Sequence, residues 1–372
     1  MDNKFANISD NFQSNENLTN KKVKFKHWGG AFMDITERQK KILYCIVQDY
    51  INTKTPVSSK RVLESAIIGR SGATIRNDMN RLMRAGYIYQ PHTSAGRVPT
   101  DKGLRFYVSE LKKIRDEIKS KSTHVDTAAN FPIGDMEKVL TGAAKLLSSS
   151  TKGMVIIEKP NPLNLRVKRV VITPVSKNFS IVNIVTSLGL SSSIPLQHGE
   201  IENVAHVEEI LNKVISGLTL NEFKTRIKEI ISKINNFKEF DFSEMGKGFL
   251  EITERLSMER YEDYISEGLY NLLSNDRINL KKLQNILGYV SSEDFYKDVF
   301  ELESDIYIGK EHSLRFLDDF SVILGDFYAE STPIGRIAVI FDKYGKYDQI
   351  IDSFEFMLNR LTEYFTVVSR NV

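Results

Sequence analysis

The chain has 372 residues, 41% of them hydrophobic and 27% charged, with a formal net charge of +3, and its length calls for two or three domains rather than one core. No run approaches the roughly 18 apolar residues of a membrane span, and the polar start MDNKFANISDNFQSNENLTNKKVKFKHW lacks the apolar stretch of a signal peptide, so the protein is expected to be soluble and cytoplasmic, with no membrane partner. The lone cysteine, Cys45, excludes an internal disulfide and any multi-cysteine zinc site, and its place in a predicted helix reads as core packing.

Residues 1–32 are rich in Asn, Ser and Lys without apolar periodicity and precede Met33. They read either as a disordered tail or as sequence upstream of a start at Met33. Asp34 or Thr36 caps a predicted helix through ITERQKKILYCIVQDYIN, with Ile35, Ile42, Leu43, Ile46, Val47, Tyr50 and Ile51 on its inner face. A second helix opens at Ser58 or Ser59 and buries Val62, Leu63 and Ala66. Ser71 caps a third, whose inward residues are Ile75, Met79, Leu82 and Met83 and whose stop is Gly86. Then Tyr87–Gln90 forms a strand, Pro91 breaks it, His92 to Gly96 turn, and Arg97-Val98 return before Pro99.

This order reads as a winged helix-turn-helix, whose second helix enters the DNA major groove. Arg offers guanine, and Asn offers adenine, two hydrogen bonds at once. Thr74, Arg76, Asn77 and Asn80 are therefore the candidates for base or adjacent backbone contact. Ser59, Lys60, Ser71, Arg81, His92, Thr93, Ser94 and Arg97 complete the expected DNA-binding set, with Lys60 and Arg97 suited to phosphate. His92 has no His, Cys or acidic residue at ligand spacing, so no metal is expected there. The charge distribution agrees with a DNA partner: residues 34–120 carry 17 Lys/Arg against 9 Asp/Glu, residues 121–372 carry 29 against 36, and residues 1–33 carry 5 against 3. A solvated basic surface is the alternative that composition leaves open.

A helix through GLRFYVSELKKIRDEIKS follows, with Leu104, Tyr107, Val108, Leu111, Ile114 and Ile118 as a stripe that packs on the winged helix or on a second copy. Residues 120–133 lack a pattern. Beyond the helix DMEKVLTGAAKLLSSS, strands are predicted at Gly153–Glu158, Leu165–Thr173, Phe179–Thr186 and Leu190–Pro195. A long helical stretch, Val204–Ser274, splits near Gly217 and around 241–248. Strands return at Asp305–Ile308, Ser321–Ala329 and Gly335–Phe341, before a last helix over Asp348–Tyr364. Strands, helices, then strands indicate a sheet domain carrying a helical insertion. No catalytic motif such as G-x-S-x-G, H-E-x-x-H or Walker A occurs, and the paired acids Asp318-Asp319 and Glu208-Glu209 read as solvated helix faces. Neither enzymatic activity nor a cofactor is expected.

The runs ITERQKKIL, PVSSKRV, ATIRNDMNRL and above all QPHTSAGRVPTDKGLRFYV resemble the HrcA family of heat-inducible transcription repressors, with weaker matches at Gly309–His312 and in DFSVILGDFYAESTPIGRIAVI. The resemblance implies an α+β multidomain chain with a winged helix-turn-helix, a GAF-like α/β domain and an inserted helical dimerising domain. It implies a homodimer that binds the CIRCE inverted repeat in double-stranded operator DNA to repress chaperone operons. The GroE chaperonin keeps such repressors competent, and heat diverts it. On this basis residues 1–33 form an extension, 34–120 the winged helix-turn-helix, 121–133 a linker, 134–204 and 275–372 the two parts of the GAF-like domain, and 205–274 the insertion. A regulator gated by a small molecule in the GAF-like domain is the alternative. The chain departs from the family pattern in its N-terminal extension and in FDKYGKYDQI, where Lys343, Tyr344 and Gly345 replace a Gly-Pro-x-Arg-Met-type loop. That loop is expected to lie far from the DNA-reading part.

Overall fold

The computed structural model describes residues 35–64, 71–119, 136–189, 191–197, 204–219 and 264–371 apart from 276 and 304, with scattered positions in 221–229. The expected extension 1–33, the linker 121–133, the break at 241–248, and Asp34 and Ala66 lie outside these residues. The protein is a mixed α/β chain, and no described helix is long and apolar enough to cross a membrane.

Helix α1 (Glu37–Thr53) starts at Thr36, whose hydroxyl accepts from Gln39 N while the Gln39 side chain accepts from Thr36 N, a reciprocal capping box. All its expected inner residues are buried, as is Cys45. Helix α2 (Ser59–Glu64) is capped by Ser58, which accepts from Arg61 N at 3.3 Å. Leu63, expected inside, is 41% exposed; in so short a helix Val62 alone points at the core. Helix α3 (Gly72–Arg84) buries Ile75, Met79 and Leu82 but only half-buries Met83, and Gly86 ends it with φ +77°.

Strands β1 (Ile88–Tyr89) and β2 (Val98–Pro99) form an antiparallel ribbon. Helix α4 (Asp101–Lys119) buries Leu104, Tyr107, Val108 and Leu111 as expected, and Phe106 as well. Tyr107 meets Tyr44 of α1 at 4.9 Å, so this stripe packs on the preceding helices. Ile114 of the same stripe is 46% exposed.

Helix α5 (Met136–Thr151) leads into β3 (Met154–Glu158). Strands β4 (Val167–Ser176), β5 (Phe179–Thr186) and β6 (Ser191–Gln197) form a separate antiparallel sheet in that order. Helix α6 (Val204–Ile215) covers its β4 edge: Asn212 accepts from Val170 N at 2.8 Å and donates to Val170 O at 2.7 Å, and Glu208 accepts from Ile172 N at 3.0 Å. An edge strand's free backbone groups are thereby satisfied. Glu208 is thus a structural bridge, contrary to the expected solvated face.

Strand β7 (Tyr264–Glu267) lies where a helix was expected, because it pairs with the open edge of β3. Helices α7 (Leu269–Leu273), α8 (Leu280–Val290) and α9 (Glu293–Glu301) follow. Then come β8 (Ile306–Ile308), β9 (Phe320–Ala329), β10 (Thr332–Asp342) and α10 (Tyr347–Asn371). The larger sheet is antiparallel with order β7-β3-β10-β9-β8. It takes no strand from β4–β6. Its apolar runs are buried on both faces, which explains their lack of polar alternation: Val155, Ile157, Ile323, Ile337 and Val339 join α5 and α10, whereas Met154, Ile156, Leu324 and Ile340 join α7–α9. Asp318 and Asp319 precede β9 instead of lying on a helix, and Asp319 is paired with Lys282 at 2.6 Å.

The turn joining β10 to α10, expected far from the amino-terminal helices, packs against them. The Tyr344 hydroxyl donates to Pro99 O at 3.3 Å, and Lys343 Nζ sits 3.1 Å from Asp101 Oδ1. One apolar cluster accordingly runs without a break from Ile42 and Leu104 to Tyr344 and Phe354.

Candidate nucleic-acid interface

The inner side of α3 is anchored by an acid. Asp78, 2% exposed, accepts from Arg38 Nε at 2.6 Å, from Arg38 Nη2 at 3.2 Å and from Gln39 Nε2 at 3.2 Å. Burial favours the neutral carboxyl, but these hydrogen bonds and the charges of Arg38 and Arg81 prevail and hold Asp78 below its ordinary pKa. With Ile75, Asp78, Met79 and Leu82 turned inward, the helical period leaves Arg76, Asn77, Asn80, Arg81 and Arg84 exposed.

The expected site residues fall into two groups. Ser71 and Thr74 are occupied at the helix start: Ser71 Oγ accepts from Thr74 N at 3.4 Å, and the two hydroxyls lie 3.0 Å apart. This cap serves the helix N-terminus, where partial positive charge favours an anion. Arg76 Nε donates to Ser59 Oγ at 3.3 Å, so α2 and α3 meet through two residues of the set. Arg97 Nη2 reaches Asn80 Oδ1 at 3.5 Å, which links α3 to the ribbon. Asn77, Arg81 and Lys60 project outward, and His92, Thr93 and Ser94 are exposed at the ribbon's tip.

The ribbon is held close to α2 by its backbone. Arg97 N donates to Val57 O, and Val57 N to Arg97 O, each at 2.8 Å. Gly96 is required by this approach, since a Cβ there would stand 2.5 Å from Pro56 O. Gln90 was not anticipated as a functional residue. Its amide donates to Thr93 O at 2.7 Å and to Ala95 O at 2.9 Å, bracing the turn that carries the tip. Its position just before Pro91, where the strand must give way to a turn, is the one local sign of that role. Asp78 was missed because an acid in a basic helix looks like part of the solvated face, although the Thr36-x-x-Gln39 pattern marks the place where its partners lie.

The resulting surface displays Arg and Asn side chains on one helix, a capped helix N-terminus, and a braced loop of hydroxyls and main-chain groups beside a basic residue. Such a surface suits a polyanion carrying base edges at a fixed depth. Among the described residues, surface hollows include one of about 470 Å³ over Glu137, Thr141 and Lys145 of α5, and one of about 270 Å³ between α1 and α2 over Gln48, Asp49, Val57 and Arg61.

The family model described as HrcA protein C terminal domain matches residues 137–351. A heat-inducible transcription repressor HrcA from Thermotoga maritima is 42% identical over 340 residues, covering 91% of this chain and 97% of the relative. One from Acetivibrio thermocellus is 28% identical over 342 residues, covering 89% and 97%. A crystal structure of a hypothetical protein at 2.2 Å resolution is similar at 41% identity with a TM-score of 0.61, covering 90% of this chain and 99% of that one.

Proposed function

The chain belongs to the HrcA family of heat-inducible transcription repressors, and on that premise we propose that it represses transcription by reading operator DNA through a winged helix-turn-helix. In this reading α2 and α3 are the helix-turn-helix, α3 is the recognition helix and the β1–β2 ribbon is the wing. The observation that carries it is the exposed Arg76, Asn77 and Asn80 face of α3, joined to α2 through Ser59 and to the wing through Arg97. Arg76 and Asn77 contact bases, Asn80 and Arg81 contact bases or the neighbouring backbone, and Lys60, Arg97 and the wing hydroxyls contact phosphate.

The operator is a CIRCE-type inverted repeat upstream of chaperone genes, bound by a homodimer whose two-fold axis matches the repeat. The larger sheet with α5 and α7–α10 is the GAF-like domain, and the dimerising insertion lies between β3 and β7. We take it to start at β4, before residue 205, because none of β4–β6 joins the larger sheet. The GroE chaperonin maintains the binding-competent fold, and heat lowers repression by drawing the chaperonin to other clients. A mobility-shift titration of the full chain against the inverted repeat and a scrambled duplex tests this function, with preferential binding of the repeat expected and equal affinity excluding it.

A further inference from the structure

The β10–α10 turn, the segment that departs from the family pattern, joins the body to three separate elements of the amino-terminal unit. Tyr344 donates to Pro99 O in β2, and its ring meets Tyr50 of α1 edge-on at 4.8 Å. Its carbonyl accepts from the Lys54 ammonium at the end of α1, and Lys54 Nζ also lies 3.6 Å from Asp342 Oδ2. The Arg277 guanidinium lies over the ring, 4.6 Å from its centroid, and pairs with Asp342. At the start of α4, Asp101 takes Lys343 at 3.1 Å and accepts from Lys310 N at 3.2 Å. Farther along α4, Arg105 donates to Glu311 and, at 2.6 Å, to Ile306 O, and Arg115 pairs with Asp352.

A unit attached by α4 alone is free to swivel about that helix. Ties on α1, β2 and α4 together oppose rotation about any one of them. Tyr344 is 6% exposed and the Lys343 side chain 14%, so water competes less for the Tyr344–Pro99 and Lys343–Asp101 contacts than for surface ion pairs; the Lys54 side chain is 48% exposed.

We propose that the Tyr344 turn is an orienting clamp, which fixes the angle at which the DNA-reading unit leaves the body and so sets the half-site spacing that a dimer accepts. This rests on the dimeric DNA-binding reading above. Each base pair added between half-sites turns one of them by about 34° and moves it about 3.4 Å along the duplex. A clamped pair of units therefore accepts one spacing, whereas loosened units follow the half-sites.

The test compares the full-length wild type with Lys54→Gln/Tyr344→Phe, which keeps the buried ring and removes the hydroxyl and ammonium donors. Fluorescence anisotropy at fixed salt measures binding to a CIRCE-type inverted repeat with its own spacer, to repeats with one or two base pairs added or removed, and to a scrambled duplex. The wild type should lose about tenfold or more in affinity when the spacer changes by two base pairs, and the variant less than about threefold. Identical spacing profiles overturn the clamp while leaving the DNA-binding reading intact. A wild type that binds scrambled and operator DNA equally overturns that reading and the spacing claim with it. Small-angle scattering of the DNA-free proteins tests the clamp by itself: a larger radius of gyration in the variant supports it, and superimposable profiles overturn it. Lys54→Gln alone serves if the double variant does not fold.

Discussion

Arg38 at the first turn of α1 and Asp78 in the middle of α3 form a two-pronged ion pair, with Nε to Oδ2 at 2.6 Å and Nη2 to Oδ1 at 3.2 Å. Removing the carboxylate leaves Gln39 without its acceptor in the core. Asp78→Ala should therefore destabilise the amino-terminal unit by roughly 1–3 kcal/mol, read as a lower Tm.

The same pair gives a pH dependence of known sign. Asp78 is held below its ordinary pKa in the folded chain, so its contribution is present above the unfolded carboxyl value near 4 and is lost as pH falls through the folded value. The stability difference between wild type and Asp78→Asn should shrink below about pH 4. Denaturant titrations from pH 7 to pH 3 check this; a constant difference would show that the ion pair is not its source.

His312 predicts a second, distinct pH effect. Its Nε2–H donates to Phe320 O at 3.1 Å, while Nδ1 is buried with no hydrogen-bond partner. Burial favours the neutral ring and outweighs the Phe320 bond and the charges of Asp318, Glu311 and Asp101, so the folded pKa is lowered. The unfolded chain then binds the proton first, and stability falls as pH drops below about 6.5 toward the folded value. His312→Gln should flatten the stability profile between pH 7 and pH 5.

Base and phosphate contacts should separate by salt and sequence. Asn77→Ala or Arg76→Ala should weaken operator binding by about 1–3 kcal/mol with much less effect on scrambled DNA. Lys60→Ala and Arg97→Ala should weaken both and lower the salt slope by about one. If Arg76→Ala retains the full operator preference, its role is confined to the bond with Ser59.

Under the proposed function, the contribution of the β1–β2 ribbon to binding depends on Gly96 and Gln90, which need not touch DNA. Gly96→Ala forces the turn away from Pro56, and Gln90→Ala removes the amide donor from Thr93 O and Ala95 O, leaving Ala95 O with Arg97 Nη1 at 3.3 Å. Both should reduce operator affinity, Gln90→Ala with little change in Tm. Normal affinity for Gly96→Ala would show that the wing's approach to Pro56 does not govern binding.

Local pattern revealed much of the architecture and little of its wiring. Helices α1 and α3 were legible because Ile42, Ile46 and Tyr50, and Ile75, Met79 and Leu82, recur at helical spacing behind Thr36 and Ser71 caps. Strands β3, β9 and β10 stood out as apolar runs between turns. Strand β7 did not, since Tyr264–Glu267 carries no strand pattern of its own and takes that form by pairing with β3. Helices α8 and α9, which cover the second face of the sheet, lie in a stretch to which the sequence reading assigned no element. The Tyr344–Pro99 bond spans 245 positions, and no window of sequence contains both partners. The outward set on α3 was readable for the opposite reason, because helical period alone decides which of its residues face solvent.

Recognition of base sequence by α3 is the core of the proposed function. Its most direct test is the affinity of the full chain for a CIRCE-type inverted repeat relative to a scrambled duplex, at one stated salt concentration, for the wild type and Asn77→Ala. A wild-type preference of about a thousandfold or more, reduced about fivefold or more by Asn77→Ala, is the predicted result. Equal affinity of the wild type for both duplexes would contradict it.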